Sequence, residues 1–300
     1  MTGRERVGKL RAYGELFRLP AVFTAPSDVL FGLAIAGSVA DFSYSMAAGM
    51  CLVLSSLLVY AAGMATNDLF DVGIDAMERP SRPIPSGRIG LAEGWIVAGS
   101  MQVAAVGLAF AVGPASLWAV VLTILMTYAY NGVTKTHWTG PLFMGLCRYG
   151  NALIGLSILG WASDLMFYLL PLGMVVYIIG VTLCSRCEVS GADPVLLKAG
   201  VVVLIFGSLT PLLWLALGDI PYESMGLLSF VLAGWLAVKG GPLTMGGSPS
   251  AIQGLVMRGI RGVAVLNGIL AAMMGGWVEA LIVVGLLVPG YYFGRWFYST

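Results

Sequence analysis

The chain contains the stretch Asn67-Asp68-Leu69-Phe70-Asp71-Val72-Gly73-Ile74-Asp75, which directly follows an apolar run long enough to cross a membrane. If the stretch stays helical, steps of about 100° per residue place its asparagine and three aspartates within one arc of about 100°. Carboxylates this close repel one another unless a positive charge lies between them. A hard divalent cation such as Mg²⁺ meets this need, because it takes oxygen ligands from a few carboxylates and completes its shell with water and phosphate oxygens.

The residues that follow read Glu78-Arg79-Pro80-Ser81-Arg82-Pro83-Ile84-Pro85-Ser86-Gly87-Arg88. The prolines are expected to end the helix and set an extended turn. The arginines Arg79, Arg82 and Arg88 then stand beside the carboxylates, where guanidinium groups can bind phosphate. The alternative is a solvated loop without a chemical role. We favour a site, because ionisable residues in and beside membrane helices usually have a function.

The composition is that of a membrane protein. Hydrophobic residues make up 58% of the chain, charged residues 10%, and the mean hydropathy is +0.90. A soluble domain is nearer half apolar and a quarter charged. The net charge of +1 gives no indication of a nucleic-acid partner, and we expect none. A single histidine excludes a histidine-cluster metal site. Cys184-x-x-Cys187 has the spacing of a redox or metal pair, but no second pair completes a zinc site, and small thiols are ordinary packing residues in membrane helices, which favours packing over a redox role.

The predicted fold is an all-α, polytopic membrane bundle of nine to ten transmembrane helices around a central cavity, with residues 1–300 forming one domain. A bilayer-crossing helix needs about 20 mostly apolar residues. The first such run is read as a retained span rather than a signal peptide, because Pro26 and Asp28 interrupt it. The weakest spans are 223–239, which is short, and 251–274, which carries Arg258 and Arg261. The predicted spans are 20–40, 44–66, 93–112, 115–133, 140–161, 165–183, 196–216, 223–239, 251–274 and 277–296.

The distribution of charge supports ten spans and sets their orientation. All 16 basic residues fall on one side of this arrangement. The opposite loops carry acidic residues without lysine or arginine, namely Asp41, Asp164, Asp219, Glu223 and Glu279. Because basic loops stay in the cytoplasm, both termini and the acidic stretch are expected to be cytoplasmic. The predicted location is the cell inner membrane.

Two further loops reach the same side of the membrane. The loop between spans 6 and 7 carries Arg186, Glu188 and Asp193. These acids either complete the site begun by the first acidic stretch or are ordinary loop charges, and pairing with the first stretch favours the site. Between spans 4 and 5, Lys135 can bind phosphate.

Three polar residues are expected inside the spans themselves. Arg148 and Asn151 lie three residues apart on one face of span 5, where polar groups are costly. For Arg148 we favour the site, because an anionic substrate would balance its charge. Asn151 is equally a site residue or a hydrogen-bonded link to a neighbouring helix. Asp28 in span 1 either lines the cavity or pairs internally with a basic residue.

The pattern Asn67-Asp68-x-x-Asp71-x-x-x-Asp75, followed by Arg79-Pro80-x-Arg82-Pro83-x-Pro85-x-Gly87, resembles the first Asp-rich signature of the UbiA superfamily of intramembrane prenyltransferases. The place of the motif after span 2, a second acidic motif after span 6, and a lysine between spans 4 and 5 are similar to that family as well. Within the superfamily, Ser185-Arg186-x-Glu188-Val189 and Met144-Gly145-Leu146-Cys147-Arg148-x-x-Asn151 resemble the EboC branch.

The resemblance implies a helical bundle around a cavity that opens sideways to lipid. It implies two Mg²⁺ ions, a prenyl diphosphate and a lipophilic acceptor, with the prenyl group transferred within the membrane. The expected metal ligands are Asn67, Asp68, Asp71 and Asp75 for one ion and Glu188 and Asp193 for a second. The expected substrate-binding residues are Arg79, Arg82, Lys135, Arg148, Asn151 and Arg186. The expected catalytic residues are Asp68, Asp71 and Lys135.

The second acidic motif departs from the family pattern. Ser185 and Ala192 stand where the family has aspartates, and Asp193 comes one residue late. On a continuous helix Glu188 and Asp193 lie about 140° apart, which is a poor arrangement for two ligands of one ion. The alternative to an enzyme is therefore a non-catalytic isoprenoid-binding or transport-associated membrane protein with a degraded second metal site.

Overall fold

The computed structural model describes residues 3–39, 43–160, 165–188, 193–217 and 220–297. Within these ranges the chain is helical, without strands, and ten helical segments are long and apolar enough to cross a membrane. The predicted all-α bundle is confirmed. Of the nine to ten spans expected, the described residues contain ten. The segments, called spans 1 to 10, are Leu19–Ser38, Met46–Phe70, Leu91–Val112, Pro114–Thr134, Gly140–Leu159, Leu165–Arg186, Pro194–Leu215, Glu223–Met245, Pro249–Gly275 and Trp277–Gly294.

The α-helices within and beside these spans are numbered in chain order. They are α1 (Gly3–Leu16), α2 (Leu19–Val22), α3 (Thr24–Ser38), α4 (Met46–Phe70), α5 (Val72–Glu78), α6 (Leu91–Val112), α7 (Pro114–Ala129), α8 (Gly140–Leu156), α9 (Leu165–Leu169), α10 (Leu172–Arg186), α11 (Pro194–Ser208), α12 (Leu213–Leu217), α13 (Ser229–Gly240), α14 (Pro249–Gly275), α15 (Trp277–Gly285) and α16 (Leu287–Phe297). A π-helical turn, Tyr130–Thr134, ends span 4.

The span boundaries differ from the predicted ones at functionally important places. Span 2 continues to Phe70, so the first residues of the acidic stretch belong to a membrane-length helix. Span 9 is one continuous helix that carries Arg258 and Arg261 in its first half. The predicted span ends at residues 40 and 161, the loop acids Asp41, Asp164 and Asp219, and Ala192 lie outside the described residues.

The acidic stretch is helical with one interruption. Ser45 caps the start of α4, because its Oγ accepts a hydrogen bond from the Ala48 N–H (3.1 Å), and α4 ends at Phe70. Asp71, with ψ at 3°, interrupts the helix, and α5 follows. The Asp75 N–H still donates to the Asp71 carbonyl (2.8 Å), so the chain keeps a nearly helical path. The predicted grouping of the acids on one side of a helix therefore survives the interruption.

The N-terminal helix α1 lies against the acidic stretch. Ala12 and Leu16 of α1 are fully buried. They belong to a small apolar cluster with residues of α4 and of the loop after α5, including Leu69, Ile84 and Ile89. Arg18, which joins α1 to span 1, has a φ of 49°, in the left-handed region that residues with a side chain seldom adopt. This backbone turn directs α1 back over the ends of the spans.

Spans 1 and 5 approach each other closely through glycine. A Cβ atom at Gly155 would lie 2.2 Å from the Val29 carbonyl oxygen, and one at Gly32 would lie 2.4 Å from the Ala152 carbonyl oxygen. Both distances are too short for a side chain. The glycines therefore bring the two backbones together.

We expect Gly155→Ala to destabilise the protein by roughly 1–3 kcal/mol, since the added methyl group meets backbone that cannot yield. The measurement is the thermal unfolding midpoint of the purified protein in detergent. Gly107→Ala is the matched control, because Gly107 is also helical and a Cβ atom there has no neighbour within 4 Å. An equal midpoint for both variants would contradict the close approach of spans 1 and 5.

Candidate active site

A cavity of about 1240 Å³ opens at the end of the bundle where the acidic stretch lies. This exceeds the roughly 300–1,000 Å³ of common small-molecule pockets. The upper wall is charged, and the deeper wall is apolar. The charged lining residues are Arg11, Glu15, Arg18, Asp68, Asp71, Arg79, Arg82, Arg88, Lys135, Arg148 and Glu188. The deeper apolar and aromatic lining includes Tyr60, Met64, Tyr130, Met144, Ile178, Val181, Val256 and Met257.

Lys135 links two oxygen atoms of the acidic stretch. Its Nζ lies 3.2 Å from Asn67 Oδ1 and forms an ion pair with Asp71 Oδ2. Asn67 is held from its other end, because its Nδ2 donates to Asn131 Oδ1 at 2.9 Å. Asn131 in turn donates to the Gly63 carbonyl and to Thr66 Oγ1. The π-helical turn at the end of span 4 thus orients the side chain of Asn67. The side-chain oxygens of Asn67, in α4, and Asp71, just after it, converge on the Lys135 ammonium.

Arginine side chains link the remaining acids of the stretch. Arg82 Nη1 lies 3.1 Å from Asp68 Oδ1 and 2.6 Å from Asp75 Oδ2. Arg18 Nη2 lies 3.3 Å from the same Asp68 oxygen. The side chains of Asp68 and Asp75 are 5% and 3% exposed, against 21% for Arg82. Asp75 is not among the residues that line the cavity. Its carboxylate therefore lies behind the lining residues, where it positions Arg82 through their ion pair.

The second motif divides between the cavity and its surroundings. Glu188 lines the cavity, and burial raises the pKa of its carboxyl group, while the nearby Arg79 opposes this rise. Ser185 also lines the cavity, with its Oγ donating to the Thr182 carbonyl. Asp193 lies elsewhere. Its carboxylate caps α11 by accepting from the Val195 N–H (2.9 Å) and the Leu196 N–H (3.4 Å), and it is not among the lining residues.

Arg186 holds the loop that carries Lys135. Its Nη2 donates to the carbonyl oxygens of Lys135 (3.0 Å) and His137 (2.5 Å). Gly140 allows this approach, because a Cβ atom there would lie 2.6 Å from Arg186 Nη2. Arg186 is not among the residues that line the cavity. The geometry therefore supports a role for Arg186, from span 6, in positioning Lys135.

The positive charge of Arg148 is balanced by Asp28. The expectation that an anionic substrate balances this charge is therefore corrected. Arg148 Nη1 lies 3.0 Å from Asp28 Oδ2, and the guanidinium carbon lies 5.4 Å from the Tyr60 ring centroid. Asp28 is 1% exposed and also accepts from Asn267 Nδ2 (2.7 Å) and Asn151 Nδ2 (3.3 Å). The open choice for Asp28 is thereby settled as an internal pair.

Asn151 connects helices. Besides its bond to Asp28 in span 1, its Oδ1 accepts from Ser56 Oγ in span 2 at 3.0 Å. It is 4% exposed and is not among the lining residues. The geometry favours the helix-linking alternative for Asn151, while Arg148 does face the cavity.

Sequence reasoning missed several residues of the site. Arg11, Glu15 and Arg18 line the cavity from α1, and Asn131 orients Asn67. The basic residues before span 1 signalled only orientation in the membrane. A signal for Arg18 was its place two residues before a helix-starting proline, but nothing in the sequence shows that α1 folds back over the acidic stretch.

The oxygen ligands at this site suit Mg²⁺ in kind, but they are few in number. Two oxygens, from Asn67 and Asp71, already converge on the Lys135 ammonium, so they can share a hard cation. Among the described residues, however, no group of three or more His, Cys, Asp or Glu side chains is arranged to hold a metal ion. Mg²⁺ keeps several waters and commonly binds through one or two carboxylates plus substrate phosphates. The residues therefore fit an ion whose shell a phosphate group completes.

Comparison with known proteins gives consistent results. A model of the UbiA prenyltransferase family matches residues 27–239. Digeranylgeranylglyceryl phosphate synthase of Ignicoccus hospitalis is 34% identical over 191 residues, which are 63% of this chain and 61% of that protein. The protein of the same name from Methanosarcina barkeri is 32% identical over 161 residues, covering 50% of this chain and 56% of its own length. The chain thus spans somewhat less than two thirds of these relatives.

The fold has been seen in solved structures. A UbiA homolog from Archaeoglobus fulgidus, bound to GPP and Mg²⁺, superimposes with a TM-score of 0.66 and covers 91% of this chain and 99% of its own, at 16% sequence identity. At this identity the likeness shows a common fold. Since the family model matches well over half of the residues, and the chain has the ten apolar helices of a multi-pass integral membrane protein, it belongs to the UbiA prenyltransferase family.

Proposed function

We propose that this protein is a Mg²⁺-dependent prenyltransferase, which moves a prenyl group from a prenyl diphosphate to an aromatic or other lipophilic acceptor within the membrane. One observation carries the proposal: in a chain of this family, residues of both acidic motifs line one large cavity whose upper wall is cationic and whose deeper wall is apolar. The charged end suits a diphosphate, and the apolar depth suits an isoprenoid chain.

The proposed reaction breaks the allylic C–O bond heterolytically. Diphosphate leaves with the electron pair, the acceptor nucleophile bonds to the allylic carbon, and the acceptor then loses a proton. Bound Mg²⁺ would neutralise charge on the leaving diphosphate. The residues that would hold one ion are Asn67, Asp68 and Asp71, with Asp75 supporting them through Arg82. Glu188, which also lines the cavity, would hold a second.

The chain's own cations act on the same leaving group. Lys135, Arg82 and Arg18 bind carboxylates at the cavity wall. Lys135 and Arg82 each have further N–H donors that can reach a phosphate oxygen. Donors that are already in place stabilise charge that develops as the bond breaks. Arg79, the least buried of the predicted substrate-binding arginines, lies where it can offset both Glu188 and a phosphate.

The deeper wall protects the allylic cation. Met64, Met144, Ile178 and Val181 exclude water from that part of the cavity. Tyr60 and Tyr130 also line it, and aromatic faces attract cations. Arg148 holds the Tyr60 ring in place through its contact with the ring face.

The two predicted ligands of a second ion are unequal in this structure. Glu188 lines the cavity, whereas Asp193 would have to give up its helix cap to reach it. We therefore propose Glu188 as the principal ligand. We also propose that both termini and both acidic motifs face the cytoplasm of the cell inner membrane, because the basic residues cluster at that end.

Asp71→Asn should reduce Mg²⁺-dependent release of diphosphate from geranylgeranyl diphosphate by roughly 100-fold or more, as expected when charge stabilisation in a transition state is lost. Release is measured with radiolabelled substrate, with Mg²⁺ and with chelator. Wild-type protein that binds the substrate tightly with Mg²⁺ but releases no diphosphate would favour the non-catalytic isoprenoid-binding alternative. Failure to bind any prenyl diphosphate would reject the substrate class.

Glu188→Gln should lower the same activity far more than Asp193→Asn. Asparagine caps a helix about as well as aspartate, so Asp193→Asn keeps the end of α11 intact and tests metal binding alone. The Mg²⁺ concentration that gives half-maximal release distinguishes a metal effect from a folding effect. Equal losses in the two variants would show that Asp193 is a ligand after all.

Mg²⁺ should bind weakly to the protein alone and much more tightly when a prenyl diphosphate is present, because the described part of the chain offers few metal ligands without phosphate. Titration with Mn²⁺, followed by electron paramagnetic resonance, measures both affinities. The analogue geranylgeranyl S-thiolodiphosphate prevents turnover during the titration. Tight binding of the ion without the diphosphate would contradict a site that substrate completes.

The orientation is tested with two single-cysteine reporters in a background without the native cysteines. Ser43→Cys lies before span 2 and Ser86→Cys lies in the loop that follows the acidic stretch, and both positions are exposed. In spheroplasts, a membrane-impermeant maleimide should label the first directly and the second only after the membrane is permeabilised. The reverse pattern would place the acidic motifs outside the cell.

A further inference from the structure

A small crevice lies between spans 1, 9 and 10, beside the large cavity. Its volume is about 140 Å³. The walls are mostly apolar, and Arg261 of α14 is the one charged side chain among the described residues that line it. Pro20, Met257 and Ile260 line both the crevice and the cavity, so the two spaces are neighbours. Since an apolar cavity of about 150 Å³ holds a molecule of the size of benzene, the crevice can hold part of one acyl chain.

The crevice lies near the membrane surface, at the end of the bundle that carries the acidic stretch. Pro20 at the start of span 1 and Tyr291 near the end of span 10 both line it. Only 6% of span 10 is buried, so the outer side of this span faces lipid. The side chains of Tyr291 and Arg261 are exposed. They can therefore reach the interfacial region, where aromatic and basic side chains are favoured.

Two contacts fix span 10 against the start of span 1. The rings of Phe23 and Phe293 stack, with centroids 5.6 Å apart and planes inclined by 17°. A Cβ atom at Gly290 would lie 2.8 Å from the Pro20 carbonyl oxygen, so glycine lets α16 approach α2 closely. The walls of the crevice are thus placed by contacts within the protein, which lowers the entropy lost when a ligand binds.

The positive charge of Arg261 is not balanced within the described part of the chain. No carboxylate there forms an ion pair with it, whereas Arg148 inside the bundle is paired with Asp28. Arg258, three residues earlier on α14, has no ion-pair partner among the described residues either. Side chains three residues apart on a helix are neighbours, so two positive charges lie together beside the crevice. They favour a ligand with net negative charge and disfavour a ligand that carries an ammonium group.

We propose that the crevice binds one anionic phospholipid of the surrounding membrane. Part of an acyl chain packs against Ile260, Leu286 and Leu287, and a phosphate oxygen of the head group accepts hydrogen bonds from the Arg261 guanidinium. Basic pockets between membrane helices at the cytoplasmic side bind anionic head groups in this way. The lipid is not a reactant. Its binding goes beyond the proposed function and strengthens the contact of span 10 with spans 1 and 9.

Native mass spectrometry of the full-length protein, first stripped of lipid in detergent, tests the site. With added palmitoyl-oleoyl-phosphatidylglycerol, one lipid molecule should remain bound to each protein molecule. With phosphatidylcholine of the same acyl chains, retention should be roughly tenfold weaker, because its ammonium group meets the two arginines. Equal retention of the two lipids would overturn the proposal.

Arg261→Gln should weaken retention of phosphatidylglycerol by roughly tenfold, the effect expected when a charge-assisted hydrogen bond is lost. Arg261→Lys keeps the charge but loses the planar fork, so its loss should be smaller. Lys239→Gln is the matched control, because Lys239 is an exposed basic residue that lines neither the crevice nor the cavity. Unchanged retention in Arg261→Gln, or an equal loss in Lys239→Gln, would contradict a site at this arginine.

Phosphatidylglycerol should also raise the thermal unfolding midpoint of the wild-type protein by roughly 2–4 °C, since a ligand that binds the folded state stabilises it. The midpoint of Arg261→Gln should not rise. Without lipid the two midpoints should agree, which shows that the variant is folded. An equal rise in both proteins would place the lipid elsewhere and overturn the proposal.

A final arm separates a membrane phospholipid from the proposed prenyl donor. Geranylgeranyl S-thiolodiphosphate and Mg²⁺ are added to the protein that already carries phosphatidylglycerol. The phospholipid should remain bound, because the crevice and the cavity are separate spaces. Displacement of phosphatidylglycerol by the thiolodiphosphate would show that the crevice belongs to the substrate site, and would reject a separate lipid site.

Discussion

The structure depends on how carboxylates are neutralised at the end of a membrane helix. Asp68, Asp71 and Asp75 lie within a few turns of span 2 and its continuation, where they would repel one another in a poorly solvated place. Each is paired with a cation from another part of the chain. Arg18 comes from the entry to span 1, Arg82 from the loop after α5, and Lys135 from the loop after span 4. Charge pairing therefore joins three separate segments around one cavity.

The ion pairs become more exposed from the membrane interior toward the mouth of the cavity. The Asp28–Arg148 pair has side-chain exposures of 1% and 10%, the Asp71–Lys135 pair 17% and 30%, and the Glu15–Arg88 pair 24% and 36%. Exposed pairs contribute little to stability, whereas a broken buried pair costs several kcal/mol. The deepest pair thus serves mainly the packing of spans 1 and 5, and the outer pairs can exchange partners with a ligand at small cost.

The sequence was sufficient to predict the bundle, the ten spans and the grouping of the first acidic motif, because apolar length and helical spacing are local properties. It could not show which cation meets which acid. Arg148 and Asp28 are 120 positions apart, and only packing of their spans shows that the pair is internal. The cap made by Asp193 depends on where α11 begins. The contribution of α1 depends on the left-handed backbone conformation of Arg18, which the sequence around it does not show.

Under the proposed function, an exchange of partners would let the same side chains stabilise the fold and bind the anionic substrate. In this structure the Lys135 ammonium already occupies a place shared by two oxygens that can also bind a hard cation. An ion arriving with a diphosphate would take over those oxygens and free the ammonium beside an incoming phosphate. Neither charge would then be left unpaired in a poorly solvated site, which is the costly outcome. Under the proposed function, the same reasoning would make binding of ion and diphosphate interdependent, because each alone would leave an uncompensated charge.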